Sequence, residues 1–130
     1  MTTVRPFLMF QGDAEAAMDF YSTLFAEAEI DEVVRYREGE PGRPGAIKRA
    51  TFAIGDQTIL LFDSPVRHDF TFTPAFSLFV ECDTEDQIRW LFEQIAEEGR
   101  VFMPLEGYGF SRLFGWVGDR FGVSWQLNLA

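Results

Sequence analysis

A single cysteine and a single histidine among 130 residues set the first limits on this chain. With Cys82 alone, no disulfide can close within the chain and no cysteine cluster can hold zinc, so the thiol is expected to be a buried structural group. His68, alone in the loop-like stretch SPVRHDFTFTP, excludes any site that needs two histidines from one chain. Basic residues are scarce as well. Eleven Lys and Arg against 21 Asp and Glu give a formal charge of −10, which repels phosphate backbones and leaves no basic stripe, so nucleic acid is not an expected partner. No apolar run reaches the length of a membrane span. The opening MTTVRPFLMF lacks a basic leader followed by a long apolar stretch and a cleavage site, so a cytoplasmic protein without membrane contact is expected. No G-x-G-x-x-G follows a strand, and no helix N-terminus is built to receive a dinucleotide-like cofactor.

Large rings, in contrast, are abundant. Fifteen Phe, three Trp and three Tyr bring the aromatic share to 16% in a chain that is 47% hydrophobic. One domain of this length buries roughly two-thirds of its unfolded surface, and so many rings suggest a second apolar lining beyond one core.

Residues 4–10, VRPFLMF, read as a strand, and GDAEAAMDFYSTLF reads as a helix opening near Asp13 as N-cap, with carboxylates in its first turn. Its apolar stripe is Ala17, Phe20 or Tyr21, Leu24 and Phe25. EIDEVVRY is a second strand. REGEPGRPGA, with three Gly and two Pro, is a flexible loop, and IKRATFAI and QTILLFD form a hairpin closed by Gly55 and Asp56. After SPVRHDFTFTP, the strand AFSLFVEC leads to a helix within DTEDQIRWLFEQIAEEG. Asp83 or Thr84 caps that helix, Ile88, Leu91, Phe92 and Ile95 stripe it, and Gly99 stops it. The strand RVFM, the loop PLEGYGF and the hairpin SRLFGWVGDRFGVSWQLNL follow.

The order strand, helix, strand, strand, strand therefore occurs twice. FLMF at 7–10 matches FSLF at 76–79, and IGDQ at 54–57 matches VGDR at 117–120, each pair at the same point of its unit. The expected fold class is α+β: two tandem βαβββ modules, residues 4–63 and 75–130, joined by a connector at 64–74 within a single domain 1–130. They are expected to form a curved mixed sheet around a cavity, with the helices on the outer face. In the last strand Val123, Trp125, Leu127 and Leu129 alternate with Ser124, Gln126 and Asn128. The first set is expected under the helix and the second on the cavity side.

PFLMFQGDAEAAMDFY, ILLFDS, SLFVECDTEDQIRWLFEQIAEEGRV and, most specifically, FGWVGDRFGVSWQLN carry a resemblance that covers nearly the whole chain. They resemble the vicinal oxygen chelate superfamily of paired βαβββ proteins, which includes glyoxalase I, extradiol dioxygenases, and fosfomycin and bleomycin resistance proteins. Within it they resemble the PhnB-like branch, whose members often carry a 3-demethylubiquinone 3-methyltransferase label. The resemblance implies a homodimer that pairs modules across subunits. It also implies, for metal-dependent members, a divalent ion held by four side chains from the first and last strands of each module. Carried over by position, those sites fall at Pro6, about Leu60, Phe76 or its neighbour Ser77, and Gln126. Proline, leucine and phenylalanine offer no lone pair and Gln126 is a neutral, weak ligand, so no metal and no cofactor are expected.

The candidate pocket residues are Gln126, Ser124 and Asn128 as polar groups, Trp116 and Tyr108 as rings, Arg112 beside Tyr108 on a glycine-bracketed loop that could act as a lid, and Leu8, Phe10, Leu60 and Phe76 as apolar lining. Asp119 and Arg120, like Gly55 and Asp56, read as turn chemistry. Glu81 and Asp83 read as helix-end acids, and Glu27, Glu29, Asp31 and Glu32 as a solvated face. Three functional readings stay open. The first is a metal-free protein that binds a small-molecule ligand. The second is a metal-dependent lyase or dioxygenase using an unorthodox set that includes His68, Glu106 or Gln126. The third is a partner-binding role with the cavity collapsed.

Overall fold

The computed structural model describes all 130 residues, which divide into two compact units, Met1–Asp69 and Phe70–Ala130. The first holds β1 (Phe7–Phe10), α1 (Ala14–Leu24), β2 (Ala28–Arg35), β3 (Ile47–Ile54) and β4 (Gln57–Asp63). The second repeats that order with β5 (Ser77–Glu81), α2 (Glu85–Ala96), β6 (Arg100–Glu106), β7 (Leu113–Gly118) and β8 (Ser124–Leu129). The α+β class and the duplicated βαβββ module are as the sequence predicts. The eight strands form two four-stranded mixed sheets, β1-β4-β3-β2 and β5-β8-β7-β6, one in each module. In each, the first strand runs parallel to the last of its module and the other pairs are antiparallel. No helix is long and apolar enough to cross a membrane.

In the first unit Ala14, Ala17, Met18, Tyr21 and Leu24 form the buried stripe of α1, so Tyr21 rather than Phe20 is the ring that faces the sheet. Beneath it lie alternate sheet residues, Leu8, Phe10, Ile47, Ala50, Phe52, Ile59 and Leu61, all buried. Each side chain of this size is worth roughly 1.5–3 kcal/mol when fully removed from water. Asp13 occupies the N-cap position of α1, but its side chain makes no capping bond. That role passes to Asp63, 4% exposed at the end of β4. Its Oδ1 accepts from the backbone N–H of Gly12 at 2.8 Å and of Ala14 at 3.0 Å, and its Oδ2 accepts from the N–H of Ile47 at 3.0 Å. The Tyr36 hydroxyl donates to the Asp63 carbonyl at 2.9 Å. One carboxylate thus fastens the β1–α1 turn and the start of β3 to the end of β4, and places negative charge at a helix N-terminus, where the dipole favours it.

In the second unit Thr84 is the N-cap of α2. Its hydroxyl accepts from the Gln87 N–H at 3.1 Å, while the Gln87 side chain accepts from the N–H of Asp83, the residue before the cap, at 2.8 Å, so two side-chain bonds close the helix start. Ile88, Leu91 and Ile95 are fully buried, with Phe92 half-buried beside them. Gly99 is not the left-handed residue after the helix. Glu98 takes that conformation at φ 59°, and Gly99 is needed because a Cβ there would lie 2.1 Å from the Gly118 carbonyl oxygen. The strand after the helix runs three residues past RVFM. Pro104 is accommodated because β6 is an edge strand whose pairing with β7 is interrupted on either side of Met103.

The two GD pairs are not equivalent. Gly55 and Asp56 form a two-residue hairpin loop with Gly55 at φ 58°, whereas Gly118 remains in β7 and the turn spans Asp119 to Val123 with Gly122 at φ 91°. Asp119, 4% exposed, organises that longer turn. Its Oδ1 accepts from the N–H groups of Phe121 and Val123 at 2.9 and 3.0 Å, and its Oδ2 from the Trp125 indole at 3.0 Å. Cys82, between β5 and α2, is buried, and its N–H donates to the Asn128 carbonyl at 2.7 Å. Burial, reinforced by the Asp83 and Glu81 carboxylates, pushes its thiol up to about 11.

Replacing Asp63 with Ala orphans three backbone donors, two of them at a helix start. Urea denaturation should register a loss of about 3 kcal/mol with an unchanged slope. A loss below about 1 kcal/mol would remove the carboxylate from its anchoring role. The thiol makes a second expectation. At pH 8 native Cys82 should react with a thiol reagent about two orders of magnitude more slowly than in the unfolded chain, where its value is about 8.5. Because the folded value is the higher one, the associated stability is fully present below about pH 8.5 and declines as the pH rises toward the folded value.

Candidate functional site

Strand pairing sorts the second sheet into two faces. Leu78 pairs with Trp125 and Val80 with Leu127, while Val117, Gly115 and Leu113 lie opposite Trp125, Leu127 and Leu129. With Trp125, Leu127 and Leu129 at 2% exposure or less, this is the face that α2 covers. The other face carries Ser77 opposite Ser124, Phe79 opposite Gln126, and Trp116 opposite Gln126 from the other side. The alternation expected of the last strand therefore holds, with Gln126 between two rings.

The polar groups on this face form a directed row. The Trp116 indole N–H donates to the Ser124 hydroxyl at 2.8 Å, and the Ser124 and Ser77 hydroxyls lie 2.6 Å apart. Ser124 is 2% exposed and has no other acceptor, so its hydrogen goes to Ser77. Ser77 also accepts from the Gln126 side-chain N–H at 3.2 Å. This leaves the Ser77 hydrogen and the Gln126 Oε1 unspent, on two half-exposed residues. A donor and an acceptor thus stand side by side at the outer end of a row whose inner members are locked.

Rings border the row. Phe79, 56% exposed, lies 6.5 Å from Phe114, which meets Phe110 edge-on at 5.1 Å and Tyr108 at 6.3 Å. Tyr108 stacks on Phe110 at 6.2 Å, and its hydroxyl donates to the Pro104 carbonyl at 2.6 Å. The loop after β6 is thereby tied back to its own strand, although a free lid was one expectation for it. Phe102 covers the outer side of Trp116 at 5.2 Å.

The remaining predicted residues fall elsewhere. Leu8 and Phe10, at 5% and 4% exposure, belong to the core beneath α1, because β1 turns them to the helix side. Leu60 is half-buried on the opposite side, level with Phe7 in β1. Phe76 precedes β5 and is 65% exposed, so the register gives its place on the polar face to Ser77. Asn128 is nearly buried and donates to Glu81 at 3.1 Å, and Arg112 is exposed on the loop before β7. Ser77 is the residue that periodicity undervalued: its role depends on the parallel pairing with Ser124, 47 residues away, which no local pattern reveals.

The donor set does not suit a divalent cation. In the first unit the relevant strands offer Pro6, whose carbonyl already accepts from the Leu60 N–H at 3.0 Å, with Phe7 and Leu60. In the second they offer a hydroxyl and an amide, Ser77 and Gln126. No three His, Cys, Asp or Glu side chains converge anywhere. The unorthodox set does not assemble either. Glu106 sits opposite Phe114 on β6, two strand spacings or about 10 Å from the strand of Gln126, and His68 turns its Nε2 to Ser64 at 3.1 Å within the other unit.

Residues 2–128 match the family described as 3-demethylubiquinone-9 3-methyltransferase. A PhnB protein from Bacillus cereus described as a putative enzyme of that name is 49% identical, with a TM-score of 0.95 over 99% of this chain and 100% of the other. Protein YjdN of Escherichia coli is 26% identical over 97% of this chain and 94% of its own. The fosfomycin resistance protein FosX from Listeria monocytogenes, solved with Mn(II) and 1S,2S-dihydroxypropylphosphonic acid, shares the fold at 12% identity and a TM-score of 0.71, covering 98% and 92% of the two chains. With the duplicated βαβββ architecture in place, these matches make the chain a member of the 3-demethylubiquinone-9 3-methyltransferase family, PhnB-like and built on the vicinal oxygen chelate fold.

Proposed function

We propose that this protein binds a small, flat, partly polar molecule on the open face of the second sheet, without a divalent ion and without methyl transfer. The observation that carries this reading is the unspent donor and acceptor of Ser77 and Gln126, held in place by buried Ser124 and flanked by Phe79 and Trp116. An amide, lactam or phenol edge matches that pair, and its ring can stack on exposed Phe79. Preorganisation by the Trp116–Ser124–Ser77 row reduces the ordering cost of binding. The site residues present supply no Lewis acid, and the sequence supplies no glycine-rich strand–helix turn of the kind that cradles a nucleotide-like methyl donor. The protein is read as a cytoplasmic homodimer. Exposed Phe7, Phe70, Phe76 and Phe110, at 57–65%, are the kind of surface that a second copy covers.

Thermal denaturation against a panel of planar aromatic amides and phenols tests the reading. A member present at a hundredfold excess over its Kd stabilises the fold by about 2.7 kcal/mol, several degrees in Tm. Gln126→Leu should abolish the shift while leaving the unliganded Tm within a few degrees. A panel that shifts nothing, or a shift that Gln126→Leu retains, would contradict it.

A further inference from the structure

The first unit carries a cleft that the proposed ligand face does not use. It encloses about 410 Å³ lined by Gln11, Ser64, Pro65, Val66, Arg67 and His68. Gln11, Ser64 and Pro65 also line a smaller neighbouring groove of about 220 Å³, whose walls include Tyr36, Arg43 and Asp63. One guanidinium group therefore borders each of two depressions that share a wall. Neither is paired: the chain's ion pairs use Arg35, Lys48, Arg49, Arg89 and Arg120, while Arg43 and Arg67 have no acidic partner. In a chain of charge −10, two unpaired cations on adjoining depressions run against the sign of the surface. The carboxylate in the wall is engaged with backbone N–H groups and forms no ion pair with either arginine.

The pair Ser64 and His68 invites a catalytic reading, and the hydrogen bonds argue against it. The Ser64 hydroxyl donates to the Val66 carbonyl at 2.7 Å and accepts from the Val66 N–H at 3.1 Å. Its remaining lone pair faces His68 Nε2 at 3.1 Å, which makes that nitrogen the donor. A hydroxyl whose hydrogen is already given to a carbonyl is not being activated by the imidazole. The Gln11 side chain further fixes the turn by accepting from the His68 N–H at 2.9 Å. The turn is thus a rigid support for Arg67, and the depression is built for binding.

We propose that this cleft is a second site, for a small oxyanion such as a phosphoryl or carboxylate group, clamped between Arg67 and Arg43 with Pro65 and Val66 supporting a short apolar body. Guanidinium groups suit such anions because their forked N–H donors match the paired oxygens.

Titrating the full chain with inorganic phosphate, and separately with acetate, at ionic strength matched by chloride tests the site by calorimetry and by Tm. Saturable binding of either anion, weakened at least tenfold in R43Q/R67Q and unchanged in the exposed control R5Q, is the expected result. Phosphate binding without acetate binding would assign the site to phosphoryl groups, and the converse to carboxylates. Neither anion differing from chloride, or the double variant binding as tightly as the parent with the same unliganded Tm, would overturn the proposal. The outcome is independent of the aromatic panel, which probes the other unit.

Discussion

Burial of Ser124 is the constraint on which the chemistry of the second sheet depends. A hydroxyl at 2% exposure must complete its hydrogen bonds within the protein, and an unmade bond there costs about 1–3 kcal/mol. The Trp116 indole satisfies its acceptor and Ser77 its donor, which fixes the direction of the row and leaves the free valences at its outer end. Pairing that is compulsory inside therefore determines what is on offer outside. The same period of two that buries Trp125, Leu127 and Leu129 beneath α2 brings Gln126 to the opposite face, so the core and the candidate site are two consequences of one strand.

Each unit solves the problem of its irregular backbone with a buried carboxylate that accepts three N–H bonds. Asp63 joins the turn before α1 to the start of β3, and Asp119 shapes the turn into β8 while holding the Trp125 indole. The duplication is thus preserved in topology and in the type of anchor but not in position, since one aspartate ends a strand and the other opens a turn. Differences at such points let two copies of one module diverge: the first sheet keeps Phe7, Leu60 and Phe62 on its open face, with Phe7 and Phe62 stacked at 4.8 Å, while the second carries the hydroxyls and the amide.

The elements were legible because their periods are strong. Both helices, the hairpin at Gly55 and the alternation of the last strand depend on local patterns, and the repeated order of elements pointed to the duplicated module. What escaped depended on contacts distant in sequence. Asp13 is a good cap by type, yet Asp63 takes its role from about 50 residues away. Gly99 looks like a helix stop, but its need for a bare Cα comes from Gly118 across the sheet. Leu8 and Phe10, expected to line the pocket, lie in the core, because a four-residue strand does not declare which side its helix covers. Ser77 became a site residue only once β5 was paired with β8.

At the positions where the resemblance would put metal ligands, this chain presents hydrocarbon in its first unit and neutral dipoles in its second, so the binding proposed for it relies on stacking and on hydrogen bonds. The most direct test is a nuclear magnetic resonance titration with Mn(II), following the Trp116 indole and the Gln126 side-chain amide. On this account both signals persist at stoichiometric Mn(II), with broadening confined to the acidic surface. Selective disappearance of both at substoichiometric Mn(II) would place a cation beside Gln126 and contradict it.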